Sequence, residues 1–154
     1  MRKFLIVIMV LFLTACGTGV HAPVETNEGD DTMSNEKWLF DVETEQNDNE
    51  LLVRMLVTNN QEQEASLDFS SGQKYEILLK NEAGEVEYRY SEGMMFTMAL
   101  IHEPFEAGET KVYEERIALD SISAGSYVLE AELVLAGTDL NDELFKKQVS
   151  VEIN

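Results

Sequence analysis

The sequence contains a single cysteine, Cys16, so these 154 residues cannot form a disulfide among themselves. A Cys-rich zinc module is excluded on the same ground, because such modules need several thiolates at short spacing. Histidine is almost as scarce, since only His21 and His102 occur. No cluster of thiolate and imidazole ligands is available, and the residues therefore predict neither a metal site nor another cofactor.

Basic residues are also few. The 11 lysines and arginines face 30 aspartates and glutamates, which gives a formal charge of −19 at pH 7. Nucleic-acid binding relies on clustered basic side chains that displace counterions from phosphates, so this composition disfavours a nucleic-acid partner. Because 44% of the residues are apolar, the composition does not indicate a fully disordered chain. The length suits one domain of ordinary size.

Long apolar runs are missing except for one, which extends from Phe4 to Leu13 directly after Arg2 and Lys3. These ten residues are too few to cross a bilayer, for which a helix needs about 20 apolar residues. A basic start followed by a short apolar run is typical of a secretory signal peptide. The sequence therefore predicts export.

The residues at the end of this run, Leu13-Thr14-Ala15-Cys16, resemble the lipobox of bacterial lipoproteins. The resemblance implies that residues 1–15 are a lipoprotein signal peptide and that Cys16 carries a diacylglyceryl group after cleavage. Two acyl chains suffice for stable anchoring. The protein is thus expected on the extracytoplasmic face of the bacterial cell membrane, held by its lipid. The alternative is an ordinary secretory signal cut elsewhere between Thr14 and Ala22, with Cys16 discarded or left as a free thiol.

Residues 16–35 contain four carboxylates, no lysine or arginine, and no apolar periodicity. This composition is typical of a flexible acidic tether, and 20 residues of such a chain span about 25 Å on average. Residues 36–154 hold the other 26 acidic residues and nine basic ones. The sequence therefore predicts a tether followed by one domain with a formal charge of −17.

From Trp38 onward, apolar residues alternate with polar ones, which is the period of half-buried strands. Clear examples are Leu51–Val57, Tyr75–Leu79 and Tyr127–Leu135, and turn residues separate such segments. About eight short strands are expected, with no long helix and with a short helical turn at residues 120–123. The pattern favours an all-β fold, an immunoglobulin-like antiparallel β-sandwich.

Groupings of catalytic residues are missing from the predicted domain. A Ser-His-Asp or Cys-His arrangement would have to use His102, which has no nucleophile motif beside it and precedes Pro104 by two residues. His102 is better explained as a surface or loop residue. Adjacent carboxylates such as Glu114 and Glu115 reflect the abundance of acids, and on a strand they point to opposite faces. We therefore predict that the protein is not an enzyme.

Two segments, Asp68–Tyr75 and Tyr88–Leu100, depart from the regular alternation. The second contains Met94, Met95 and Met98, three of the seven methionines. A methionine cluster beside aromatic residues can form an adaptable partner-binding surface. More commonly it fills irregular gaps in a core, and core packing is the expected role here.

The same segments carry a family resemblance. The motifs Ser70-Ser71-Gly72-Gln73-x-Tyr75, Asn81-x-x-Gly84, Tyr88-x-Tyr90-Ser91, Phe96-Thr97-x-Ala99-Leu100, Ala107-Gly108-Glu109 and Ala124-Gly125-Ser126-Tyr127 occur in the order seen in the BsuPI family. That family groups bacterial domains that resemble an intracellular proteinase inhibitor of Bacillus. The resemblance covers roughly Leu51 to Leu135, and it implies an immunoglobulin-like sandwich that inhibits a serine proteinase.

Two functions follow from these observations. The resemblance implies an envelope lipoprotein that blocks a proteinase with an exposed loop, and the alternative is a noncatalytic protein-binding module of the cell envelope. The expected partners are the membrane, through the lipid anchor, and either a proteinase or another envelope protein. The candidate contact residues are Gln73, Tyr75, Tyr88, Tyr90, Met94, Met95 and Phe96.

Metabolic labelling with a radioactive fatty acid tests the predicted anchor. We expect label on the wild-type protein and none on Cys16→Ser, because the hydroxyl of serine does not replace the acylated thiol. Absence of label on the wild-type protein would exclude lipidation.

Overall fold

The computed structural model describes residues 36–137 and 142–154, which contain nine strands and one short 3-10 helix. In chain order these elements are β1 (Trp38–Asn47), β2 (Glu50–Asn59), β3 (Ala65–Phe69), β4 (Tyr75–Asn81), β5 (Val86–Arg89), β6 (Ile101–Phe105), β7 (Thr110–Ala118), β8 (Gly125–Leu133), the 3-10 helix (Asp142–Phe145) and β9 (Lys146–Ile153). No helix in this part of the chain is long and apolar enough to span a membrane. The predicted signal peptide, Cys16 and the tether lie outside the described residues and stay predictions.

The strands form three antiparallel sheets, in the orders β1-β2-β7, β5-β4-β8-β9 and β3-β6. The β1-β2 hairpin pairs Trp38 with Asn59 at one end and Asn47 with Glu50 at the other. Its turn places Asp48 at a φ of 46°, a left-handed conformation that aspartate tolerates better than most residues. The β3-β6 pair is connected to the chain after β8 by a single bridge between Phe69 and Leu135.

Side chains from all three sheets share one apolar core. Along β1 the first residues alternate between buried and exposed, as the period of a half-buried strand requires. The largest fully buried side chains are Phe69, Phe105 and Phe145. Trp38 packs edge-on against Phe105 with ring centroids 5.0 Å apart, a favoured aromatic geometry. The arrangement confirms the expected all-β antiparallel sandwich.

One strand, β6, is not predicted from the sequence. It contains Pro104, which lies opposite Ser66 of β3 and has no N–H to donate to a second neighbour. Proline is tolerated at the edge of a sheet, where one side of the strand needs no partner. His102 therefore lies on a strand rather than in a loop, with its Nδ1 2.7 Å from Asp68 Oδ1.

The short helical turn expected at residues 120–123 is a reverse turn, in which the N–H of Ile122 donates to the carbonyl of Leu119 at 3.0 Å. Within the described residues the helical element lies later, at Asp142–Phe145. This 3-10 helix places Phe145 in the core, where its ring lies 6.4 Å from that of Trp38.

Asn59, the last residue of β2, is completely buried. Its side-chain nitrogen lies 2.9 to 3.2 Å from the carbonyl oxygens of Gln63, Phe105 and Glu106. Its Oδ1 accepts from the N–H of Gln61 at 3.2 Å. The sequence pattern suggests an ordinary turn at Asn59, but the side chain satisfies backbone groups of two separate connections.

Asn59→Ala tests this role. We expect the free energy of unfolding to fall by about 2–3 kcal/mol, because buried carbonyls lose their donor. Urea titration followed by fluorescence of Trp38 measures the change. Asn47→Ala is the matched control, since Asn47 is exposed on β1, and an exposed substitution should stay within about 0.5 kcal/mol of wild type. Equal effects of the two substitutions would show that the buried amide contributes no special stability.

Candidate functional site

The segment Ser91–Leu100, between β5 and β6, exposes an unusual amount of apolar surface, and we call it the contact loop. The exposed fractions are 50% for Met94, 99% for Met95, 92% for Met98 and 71% for Leu100. Grouped exposed apolar residues indicate an interaction surface. The core packing expected for the three methionines is therefore wrong. Strand β5 ends at Arg89, before the methionines, so sheet pairing does not carry them inward.

One carboxylate fixes the first end of the contact loop. Glu76 of β4 has a side chain only 12% exposed. Its Oε1 accepts from the N–H of Ser91 at 3.1 Å, and its Oε2 accepts from the Ser91 hydroxyl at 2.5 Å. Gln73 Nε2 donates to the same Oε2 at 3.2 Å, and a guanidinium nitrogen of Arg89 lies 3.9 Å away. Glu76 therefore joins the start of the loop to the residues before β4 and at the end of β5.

A close backbone contact and a row of rings fix the loop further along. The N–H of Gly72 donates to the carbonyl of Thr97 at 2.8 Å. A Cβ on Gly72 would lie 2.7 Å from Thr97 Oγ1, so this approach favours glycine. The half-buried Phe96 lies 6.0 Å from Tyr90, whose ring centroid is 4.4 Å from that of Tyr75. Met94 and Met95 thus project between two fixed points.

Two tyrosines of this region connect to the β1-β2-β7 sheet. The hydroxyls of Tyr75 and Tyr88 donate to the two carboxylate oxygens of Glu115, on β7, at 3.4 and 3.2 Å. Burial raises the pKa of both phenols, and the negative charge of Glu115 raises it further. Both hydroxyls therefore stay protonated and donate. The neighbouring Glu114 instead accepts from Arg54 Nε at 3.0 Å, so the two adjacent carboxylates face different groups.

A charged cluster around Glu103 links β6 to β7 and to the segment before β4. Glu103 lies 2.7 Å from Lys74 Nζ and 3.5 Å from Lys111 Nζ. Burial alone raises the pKa of Glu103, but the hydrogen bond and charge of Lys74, aided by Lys111, outweigh burial and hold it below its usual value. Lys111 also lies 4.5 Å from the ring centre of Phe105. This cluster ties elements together, and among the described residues no group of three or more His, Cys, Asp or Glu side chains could hold a metal ion.

The candidate contact residues fall into three roles. Tyr75, Tyr90 and Phe96 form the row of rings, Gln73 and Tyr88 support it through hydrogen bonds, and Met94 and Met95 expose apolar surface. Sequence reasoning missed Glu76, which looks like one polar residue of an alternating strand and carries no distinguishing signal. It also missed the contribution of Met98 and Leu100 to the exposed surface. Their position within the family motif Phe96-Thr97-x-Ala99-Leu100 was the available clue.

Residues 38–138 match the BsuPI family, whose description is intracellular proteinase inhibitor. The chain belongs to the BsuPI family. The match runs from β1 past β8 and includes the whole contact loop. Membership of a proteinase-inhibitor family supports a noncatalytic BsuPI domain and implies that its partner is a proteinase.

Other comparisons add nothing to this assignment. No curated protein sequence matches the chain. Similar solved structures include a Bacteroides uniformis beta-glucuronidase, at 13% identity and a TM-score of 0.42, with 76% of this chain and 14% of that chain covered. A penta-heme cytochrome c552 from Thermochromatium tepidum has 12% identity and a TM-score of 0.42, with 77% and 38% covered. The chain spans only a small part of these proteins, and likenesses this distant carry no argument about activity.

Glu76→Gln tests how the contact loop is fixed. The substitution keeps the size of the side chain but replaces one acceptor oxygen with a donor that faces Gln73 and Ser91. We expect hydrogen exchange of the Ser91–Leu100 amides to accelerate by about tenfold, corresponding to the loss of about 1–2 kcal/mol. Glu43→Gln, an exposed change on β1, is the control and should leave loop exchange unaltered. Wild-type exchange rates in Glu76→Gln would show that Glu76 does not hold the loop.

Proposed function

We propose that this protein is a lipid-anchored lipoprotein of the bacterial cell envelope whose BsuPI domain binds and blocks a proteinase through the contact loop. The observation that carries the proposal is the exposed pair Met94 and Met95, held between Ser91 and Thr97. Ser91 is fixed by hydrogen bonds to Glu76, and Thr97 is fixed by a hydrogen bond from Gly72.

A loop of this kind suits inhibition because it is ordered before it binds. Ordering a flexible loop on binding costs free energy, and a loop that is already fixed avoids much of that cost. Small inhibitors often gain rigidity from disulfides, which the single cysteine rules out here. In this domain the Glu76 hydrogen bonds, the Gly72 contact and the ring row supply the rigidity instead.

The anchor proposal rests on residues 1–35 of the sequence. Acylation at Cys16 would attach the chain to the outer face of the cell membrane, and the acidic tether would separate the domain from anionic lipid headgroups by charge repulsion. The family description names an intracellular inhibitor, whereas the export signal favours a target outside the cytoplasm. The proposed partner is therefore an extracytoplasmic proteinase.

Titration of the acylated chain in detergent against a panel of serine proteinases tests the function. We expect inhibition by the wild-type chain, and a loss of at least about a hundredfold in Met94→Ala/Met95→Ala, because two methionines buried at about 1.5–3 kcal/mol each contribute about 3–6 kcal/mol together. Val112→Ala is the control, since Val112 is an exposed apolar residue of β7. It should inhibit as well as wild type.

The same preparation distinguishes the alternative function. Lack of inhibition at micromolar concentration, together with recovery of one envelope protein by wild type but not by Phe96→Ala, would replace proteinase inhibition with a noncatalytic binding role. Equal loss of inhibition in the Val112→Ala control would dismiss the contact loop as the binding surface.

A further inference from the structure

Met95 has the most exposed of the large apolar side chains in the contact loop. Its side chain is 99% exposed, although both sequence neighbours are held. On one side the N–H of Met94 donates to the carbonyl of Ser91 at 3.2 Å. On the other side the ring of Phe96 packs on Tyr90. Met95 is therefore a free side chain on a fixed backbone.

The remaining methionines of the loop are less suited to fill a partner's pocket. Met94 is half-covered, at 50% exposure, and belongs to the turn that begins at Ser91. Met98 is 92% exposed. It comes directly after Thr97, whose carbonyl accepts from the N–H of Gly72. Gly93, with a φ of 74°, bends the backbone just before the methionine pair. These features leave Met95 as the most exposed methionine of the loop.

We infer that Met95 is the side chain that enters the specificity pocket of the target, and that the target is a serine proteinase with an apolar primary pocket. This inference rests on the proposed function and goes further by naming the residue and the kind of pocket. A methionine side chain is long, unbranched and polarisable, so it fills a deep apolar pocket. In a trypsin-type pocket, a methionine would leave the carboxylate at the base of the pocket without a partner, so that kind of pocket is disfavoured. The formal charge of −17 in residues 36–154 further favours a proteinase with a basic surface.

Exchange of Met95 for residues of other chemistry tests the inference on the full chain. Met95→Lys should lose at least about a hundredfold in affinity for proteinases that cleave after large apolar residues, and it should gain inhibition of trypsin. Met95→Leu should stay within about threefold of wild type, because leucine also suits an apolar pocket. Met98→Lys, elsewhere in the contact loop, should not switch specificity to trypsin. Val112→Lys, an exposed change on β7 outside the contact loop, is the control and should change neither affinity by more than about threefold. All three positions are exposed, so these substitutions should not disturb folding, and thermal unfolding of each variant checks this.

The outcomes separate this inference from the proposed function. Inhibition by wild type that Met95→Lys leaves unchanged would overturn the role of Met95 while the proposed function stands. A switch produced by Met98→Lys instead would also overturn it. If a proteinase cleaves the wild-type chain after Met95 but is not inhibited, the result would support entry of Met95 into the apolar pocket and would refute inhibition. If no proteinase of the panel binds or cleaves the wild-type loop, both proposals fail.

Discussion

The order of the contact loop depends on the hydrogen bonds that the carboxylate of Glu76 accepts. A carboxylate is an acceptor with two oxygens, and both oxygens of Glu76 accept from Ser91, while Oε2 also accepts from Gln73. Ser91 supplies both its backbone and its side-chain donor, so the first residue of the contact loop is fixed in position and orientation. The ring row from Tyr75 to Phe96 then fixes the loop further along. A chain without disulfides thus obtains an ordered loop from one shielded acid and three rings.

The strands were predictable because burial on one face leaves a period of two in the sequence. Trp38, Phe40 and Val42 show this directly, since all three are buried and the residues between them are exposed. Strand β6 was not predictable in the same way. Its sequence contains a proline and two charged or titratable residues, and its extended form depends on pairing with β3, more than 30 residues away. Long-range pairing leaves no local signal.

The candidate site was only partly accessible from the sequence. The family resemblance pointed to the correct stretch of chain, and the aromatic residues of that stretch do pack together. Composition could not predict the exposure of the methionines, because methionine occurs both in cores and on binding surfaces. Glu76 is one acid among many on alternating strands, so only the distance from its oxygens to Ser91 reveals its role.

The excess of acidic residues determines how the domain interacts electrostatically with other molecules and surfaces. Residues 36–154 contain 26 acidic and nine basic residues, so acidic side chains outnumber basic ones almost three to one. Ion pairs such as those of Arg54 with Glu45 and Glu114 are exposed and stabilise the fold only slightly. The charge therefore acts mainly at a distance, by keeping the protein soluble and by disfavouring contact with anionic surfaces.

The methionines of this domain differ in how easily an oxidant can reach them. Peroxide converts a methionine thioether to a sulfoxide, which is polar and no longer suits an apolar pocket. Met95 and Met98 are almost fully open to solvent, whereas Met55 is completely enclosed by the core. Oxidation would therefore reach the contact loop long before it reached the interior, and the loop would lose its apolar character while the fold stayed intact.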